Sequence, residues 1–373
     1  MTNAKLSIPF LDLPKINKRY HEKFKNVFAN FLDTGIYIKG NYVEMFEKSF
    51  ATSCGVDYCI GVGNGLDALT IILKAYIELG KLRIGDEVII AANTFIATIL
   101  SVKYAGLTPV LVEPDEYTFN LDVNQLEKHI TRKTKVIIPT HLYGQLANIE
   151  AIKRIAEQHN VLVIDDAAQA HGAQHDDTKV AGSLFHASAF SFYPAKNLGA
   201  LGDAGAITTN DGELAYTTRC IGNYGSSEKY RNEYAGVNSR LDELQAAFLL
   251  EKVTYLEEDN TCRRSIAKRY LSEIKNEKIK LPFWDQSNNH VFHLFVVRVE
   301  NRKDFCNYLE ESGVGYHIHY PIPPHKQRAL QEFSGLSLPI TERIHNEVVS
   351  IPLNVSLETH EIDYIIQVLN QYQ

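Results

Sequence analysis

"YCIGVGNGLDALTIILKAY", residues 58–76, joins a short apolar run to a turn holding Gly61, Gly63 and Gly65, then to a stretch in which Leu66, Leu69, Leu73 and Tyr76 recur at steps of three and four. That spacing puts the four on one face of a helix. A strand passing through a tight turn into a covering helix is the unit of a parallel sheet, whose neighbours need a crossover rather than a hairpin. The pattern repeats downstream. Candidate strands are "YCIGV" (58–62), "EVIIAA" (87–92), "PVLVEP" (109–114), "KVIIPTHL" (135–142), "VLVIDD" (161–166), "ASAFSF" (187–192) and "GAITTN" (205–210), and Ile149 to Gln158 repeats the helical spacing. Together they predict an α/β fold with a mostly parallel seven-stranded sheet covered by helices on both faces. Ligands of such sheets bind beyond the carboxyl ends of the strands.

A chain of 373 residues exceeds one comfortable core, so two domains are expected: a large one over 1–250 and a smaller α+β one over 251–373. The change of regime falls near Leu241. Residues 241–274 hold no proline or glycine and predict a long helix or a pair. "HVFHLFVVRV" (290–299) reads as a strand, "RKDFCNYLEESG" (302–313) as a helix, "VGYHIHYP" (314–321) as another strand, and a last helix follows Thr359. The net charge of -7 argues against a nucleic-acid partner. No apolar run approaches the roughly 20 residues of a membrane helix, and the N-terminal stretch lacks a secretory apolar core, so a cytoplasmic protein with no membrane partner is expected. Five cysteines without a CxxC pair read as reduced thiols. His317, His319 and His325 lie close in sequence, but no cysteine or acidic ligand accompanies them, and no metal is expected.

"SFYPAKNLGALGDAGAI", 191–207, sets Lys196 between a strand and a cluster of glycines. A lone lysine there reads as a solvated loop charge. Held near apolar walls, it becomes a nucleophile or Schiff-base former. Two further stretches bear on the choice. The turn at Gly61, Gly63, Asn64 and Gly65 opens a helix whose free amides would form a phosphate cup, although such turns also serve tight packing. "VLVIDDAAQAHGA" (161–173) ends a strand on Asp165 and Asp166. Adjacent strand residues face opposite ways, so one of the two enters a given pocket and the other needs a different partner. A lysine able to trap an aldehyde, a phosphate cup and a carboxylate able to keep a pyridine nitrogen protonated are what pyridoxal phosphate chemistry requires.

The chain resembles the sugar aminotransferases of the DegT/DnrJ/EryC1/StrS family, within the fold type I pyridoxal-phosphate-dependent transferases. "VIDDAAQAHG" (163–172), "SFYPAKNLGALGDAGA" (191–206) and "GVNSRLDELQAA" (236–247) carry the likeness, in family order. The resemblance implies pyridoxal 5'-phosphate as cofactor, with pyridoxamine phosphate as its intermediate form. It makes Lys196 the lysine that bonds the cofactor and shuttles the proton, and Asp166 the partner of the pyridine nitrogen. Gln169 would approach the ring hydroxyl and Phe95 would stack on the ring. Ser191 would hold the phosphate with the amides around Asn64, Gly65 and Leu66, and Asn238 would reach the phosphate of a neighbouring subunit's cofactor in a homodimer with shared sites. Leu66 departs from the threonine of many relatives and offers only its backbone amide. The sugar 3-dehydratases carry histidine in place of the lysine, and Lys196 argues against their chemistry.

The same resemblance implies L-glutamate as amino donor and a nucleotide-linked keto sugar as acceptor. "NYGSSEKY" (223–230) looks like the branch that aminates C3 of dTDP-linked 3-keto-6-deoxyhexoses, and a 4-keto sugar is the alternative. Tyr193, Tyr224, Lys229, Tyr230, His319 and Tyr320 are the candidate substrate residues, since a nucleotide sugar needs stacking surfaces, hydroxyl partners and a cation. Surface glycans such as O-antigen are the expected destination of the product. A nicotinamide-dependent dehydrogenase built on the glycine turn would leave Lys196 and Asp166 unexplained, and a non-catalytic cofactor-binding regulator would lack a helix-turn-helix or basic segment.

Overall fold

The computed structural model describes residues 6–373, so the first five residues of the expected 1–250 unit lie outside it. Seven strands form the main sheet: β1 (Tyr58–Val62), β2 (Glu87–Ala91), β3 (Thr108–Val112), β4 (Thr134–Ile138), β5 (Leu162–Asp166), β6 (Ala187–Ser191) and β7 (Gly205–Thr209). Their order is β1-β7-β6-β5-β4-β2-β3. β2, β3, β4, β5 and β6 pair in parallel, while β7 runs antiparallel to both β6 and β1. The reversal has a local cause. Residues 192–204 contain no helix, so the chain returns from β6 without the crossover that a parallel partner needs. β1 therefore points the same way as β6, and the carboxyl ends of β1, β2, β4, β5 and β6 share one edge.

Helices cover both faces. They are α1 (Leu13–Asn17), α2 (His21–Thr34), α3 (Asn41–Cys54), α4 (Gly65–Glu78), α5 (Ile96–Tyr104), α6 (Val123–Leu126), α7 (Ile149–His159), α8 (Gly212–Ile221) and α9 (Glu243–Val253). Alternate strand residues divide between the faces as the pleat requires. Val88, Ile90, Val136 and Ile138 join Leu69, Ile72 and Leu73 of α4, whereas Ile89, Ile137 and Val163 join Ile152 and Ile155 of α7. Leu66 itself is only half-buried at the helix start.

A further core lies under α10 (Leu256–Glu273), α11 (Arg302–Ser312), α13 (Thr359–Gln371) and the antiparallel pair β10 (Phe295–Arg298) and β11 (Val348–Ile351), with α12 (Pro339–Glu347) leading into β11. Tyr270, Phe292, Phe295, Phe305, Val349 and Ile365 fill it, together with Ile8 from the start of the chain.

In the C-terminal half the expected helices are present, 241–274 in its paired form, while the expected strands differ. Residues 241–274 form the pair α9 and α10, broken by a turn in which the Tyr255 N–H bonds the Lys252 carbonyl. The strand expected over 290–299 is confined to β10. Upstream of β10, Val291 and Leu294 donate their amides to the carbonyls of Gly144 and Tyr143, which spends that edge on the main unit. Residues 314–321 are not a strand. They make single bridges, Val314 to Ile8 and His317 to Ser350. The loop after α8 carries a small hairpin, β8 (Ser226–Glu228) and β9 (Arg231–Asn232), that periodicity does not disclose. Among the described residues no helix is long and apolar enough to cross a membrane, and all five cysteines are free thiols. His325 is paired with Glu342 at 3.0 Å.

Gly144 is one of the places where the two halves touch. Its φ is +97°, and a Cβ there would lie 2.8 Å from the His293 nitrogen and 3.0 Å from the Gln169 carbonyl oxygen. Gly144→Ala should therefore cost about 1–3 kcal/mol. Thermal unfolding should show a Tm lower by several degrees, and an unchanged Tm would mean that the contact between residues 143–144 and 291–294 yields freely.

Candidate active site

Five strand ends and one returning segment build a cleft. β1 delivers Asn64 and α4, whose first turn begins at Gly65. The Asn64 side chain accepts from the Asp67 amide at 2.9 Å, while the Gly65 and Leu66 amides have no acceptor within the helix. The positive end of the helix axis thus faces the cleft. A Cβ on Gly65 would lie 2.9 Å from the Cβ of Ser191, so only glycine lets the end of β6 close against these amides. The arrangement suits a phosphate group: two free donors, one hydroxyl and no side chain in the way. Behind it, the Ser239 hydroxyl accepts from the Gly63 amide (3.0 Å) and donates to Asp67 (2.7 Å).

β5 resolves the two aspartates. Asp165 points away from the cleft, accepting from Ser188 on the neighbouring strand at 2.5 Å and lying 3.1 Å from His141 Nε2. His141 Nδ1 accepts from the Ala147 amide, so its proton sits on Nε2 and is donated to Asp165. Asp166 takes the cleft side. One oxygen accepts from the Thr98 hydroxyl at 2.7 Å and the other from the Ala168 amide at 3.1 Å. Burial raises the Asp166 pKa above its ordinary 3.8, while Thr98, Ala168 and the Lys196 charge pull it back. A cation placed here would be held firmly, because it would restore what desolvation costs the carboxylate. Thr98 is held in turn by Thr94, itself bonded to Thr140 at 2.9 Å. None of the three threonines was a sequence candidate. The hydroxyls of "NTFIAT" were the signal that could have shown two of them.

Lys196 stands on the turn after β6, with its amide bonded to the Tyr193 carbonyl at 2.8 Å. Among the described residues its ammonium has neither a hydrogen-bond nor an ion-pair partner. Burial lowers its pKa from 10.5 to about 8, and the charge of Asp166 works in the opposite sense. At pH 7 such an amine is neutral about a tenth of the time, against roughly one part in 3000 for an ordinary lysine. The nearby imidazoles stay neutral: burial lowers His171 to about 3 and His319 to about 4, and holds His293 well below 6.5, with the Lys196 charge contributing to each. The turn is also pinned from α9, where Lys252 donates to the Gly199 carbonyl at 2.6 Å and Gln245 accepts from the Leu201 amide at 2.8 Å.

The C-terminal half closes the cleft. Gln169 accepts from the Tyr143 amide at 2.7 Å and donates to the Tyr320 hydroxyl at 3.1 Å. Tyr320 lies with its ring 5.1 Å from that of Phe95, which is otherwise 47% exposed and offers a face to a planar ligand. The carbonyl of His319 accepts from the Tyr143 hydroxyl, and its ring lies 2.8 Å from the Ser350 hydroxyl. Asn64, Gly65, Leu66, Phe95, Asp166, Gln169, Ser191, Lys196, His319 and Tyr320 thus gather around one cleft, with Tyr193 exposed beside it. Tyr224, Lys229, Tyr230 and Asn238 do not join them. Tyr224 lies under the Arg240 guanidinium, Lys229 rests over the ring of Tyr230, and exposed Asn238 bridges to Asn223. Asn238 lies several residues before the start of α9.

Comparison with known proteins gives the chain its family. The DegT/DnrJ/EryC1/StrS aminotransferase family matches residues 18–370. The chain is 52% identical to dTDP-3-amino-3,6-dideoxy-alpha-D-galactopyranose transaminase of Aneurinibacillus thermoaerophilus, over 98% of this chain and 99% of that one. Among solved structures, DesV of S. venezuelae in complex with a ketimine intermediate superposes with a TM-score of 0.94 at 39% identity, covering 98% of both chains. A Bacillus subtilis protein, NtdA with bound cofactor PMP, gives 0.88 at 34% identity, covering 99% of this chain and 86% of that one.

The charge balance at Lys196 can be measured directly. In ligand-free protein, the rate of acylation of this residue, followed by peptide mass spectrometry across pH, should show a midpoint near about 8. Asp166→Asn should move the midpoint down, because it removes the negative charge that favours the ammonium. A midpoint near 10 in the parent protein, or an upward shift in the variant, would contradict the geometry.

Proposed function

The chain belongs to the DegT/DnrJ/EryC1/StrS aminotransferase family and is a sugar aminotransferase dependent on pyridoxal phosphate, and on that premise we propose that it aminates C3 of a dTDP-linked 3-keto-6-deoxyhexose with L-glutamate as donor. The product is the dTDP-3-amino-3,6-dideoxyhexose. The observation that carries the catalytic reading is the unpartnered amine of Lys196 beside buried Asp166, opposite free helix amides. The C3 position and the nucleotide rest on the 52% likeness to a transaminase named for such a product.

Pyridoxal phosphate, when bound, supplies an electron sink for the negative charge that develops at the carbon bearing the amine. The chain's own residues do the rest. Gly65, Leu66, Asn64 and Ser191 would hold the phosphate, Asp166 the ring nitrogen, Gln169 the ring hydroxyl and Phe95 the ring face. Lys196 Nζ would take a proton from the donor carbon that bears the amine and release it at a second carbon, not at the first, a task suited to an amine whose pKa is near working pH. Its neutral histidine neighbours do not compete for that proton. Tyr193, His319 and Tyr320 line the approach to Nζ and are the sugar-side contacts.

We further propose a homodimer with shared sites, in which Asn238, Tyr224, Lys229 and Tyr230 serve the partner's cleft. Their contacts, which run to Arg240, to one another and to Asn223 instead of to the cleft residues of their own chain, support this. So do six exposed large apolar side chains close in sequence on α2, α3 and the segment between them, Phe28, Leu32, Ile36, Tyr37, Ile38 and Met45.

Two experiments test these readings. Purified enzyme with L-glutamate is offered dTDP-linked 3-keto and 4-keto sugars separately, and the amino sugar is assigned by NMR. Amination at C3 is expected, and turnover of the 4-keto sugar alone would replace the substrate assignment. Coexpression of two inactive variants, Lys196→Ala and Asn238→Ala combined with Lys229→Ala, should restore part of the activity, because one site of each mixed dimer receives only intact parts. Verified mixed dimers no more active than either parent would place the whole site within one chain.

A further inference from the structure

The residue after the lysine makes more directed contacts than the lysine itself. Asn197 is buried at 8% exposure, and its side-chain nitrogen donates to Asn260 Oδ1 on α10 at 3.0 Å and to the Val291 carbonyl at 3.1 Å. With both protons so used, its oxygen is an acceptor, and His293 Nδ1 lies 3.2 Å away as the matching donor. Asn260, fully buried, passes the chain on by donating to the His171 carbonyl at 2.8 Å. Every member of this line is satisfied in one direction: His293 to Asn197, Asn197 to Asn260, Asn260 to His171. The line joins the lysine-bearing turn, the strand end after β5 and the C-terminal half through two asparagine side chains and one imidazole.

We propose that Asn197 is a positioning residue for Lys196, and that its amide, locked by Asn260, Val291 and His293, holds the lysine-bearing turn against the C-terminal half of the chain. The need for such a lock follows from the lysine's task. Nζ must serve two reacting carbons in turn from one anchored position, and it has no hydrogen bond of its own to fix it. The lock grips the backbone one residue away and leaves the amine free. It also accounts for the environment of Nζ. The segment 291–294 is held to the main unit by the Gly144 and Tyr143 carbonyls, and Asn197 draws the turn under it, so loosening the turn admits water to the amine. The titratable groups that face Nζ are Asp166, His171, His293 and His319, of which His293 alone belongs to the lock.

The proposal rests on Lys196 being the reactive amine, and the test separates the two. Asn197→Ala is prepared in the full chain. In ligand-free protein, its Lys196 acylation midpoint should rise by at least one pH unit from about 8, as the ammonium gains water. Capture of added pyridoxal phosphate, followed by absorbance, should slow at least tenfold, and kcat should fall at least tenfold with KM for the amino donor within threefold. A folded Asn197→Ala protein with an unchanged midpoint and capture rate overturns the proposal. If that variant does not fold, His293→Ala and His293→Gln decide: the alanine should raise the midpoint, and the glutamine, which can still donate to Asn197, should restore it. Equal behaviour of the two overturns the proposal. Lys196→Ala is the control, since covalent capture surviving in it would refute the lysine assignment and not the role of Asn197.

Discussion

Two opposite charges held out of water, Asp166 and Lys196, set the terms for everything around them. Burial alone would neutralise both, raising the acid and lowering the base, and each charge lessens that penalty for the other. Neither is fully compensated, because they share no direct hydrogen bond. The fold maintains this tension by placing them at the carboxyl ends of adjacent parallel strands, Asp166 as the last residue of β5 and Lys196 on the turn after β6. Asp166 lies opposite Ala189 in the β5–β6 register, and the chain leaves β6 two residues later for the turn that carries Lys196. An antiparallel pairing at this position would send the two ends to opposite edges of the sheet.

The surrounding polar groups are arranged so that no stray charge enters this balance. The carboxyl oxygens of Asp166 are held by a hydroxyl and an amide, both uncharged donors. The imidazoles within electrostatic reach of Lys196 are too buried to protonate at neutral pH. Asp165, one residue from the key acid, is kept apart by the strand pleat and occupied by His141 and Ser188. Replacing any of these neutral partners with a charged one would shift the lysine more than removing a packing contact.

The main sheet was legible because each of its strands is a short apolar run bounded by turns, a pattern contained within five or six residues. All seven expected strands are present with ends within a few residues of those expected. The C-terminal half was read less well. "VGYHIHYP" has the composition of a strand, but its side chains are committed elsewhere, His319 to Ser350 and Tyr320 to Gln169. Upstream of β10, the backbone of 291–294 pairs with residues 143–144 rather than with β11, a choice made by the docking of one half on the other and invisible to local periodicity.

By itself the sequence determined the order of strands and helices, the glycine turn that opens α4, the lysine set among glycines and the fact that only one of two adjacent aspartates could serve the cleft. Each of these depends on neighbours in the chain, through propensity, turn chemistry and the two-residue period of a strand. The strand period left open which aspartate faces the cleft and the family resemblance assigned Asp166, but only the tertiary structure decided that Thr98 and Ala168 hold it and that Asn197 is bound by partners 63, 94 and 96 positions away. Contacts over such separations arise when two independently patterned halves close on each other, and no short-range regularity in the chain encodes the register in which they meet.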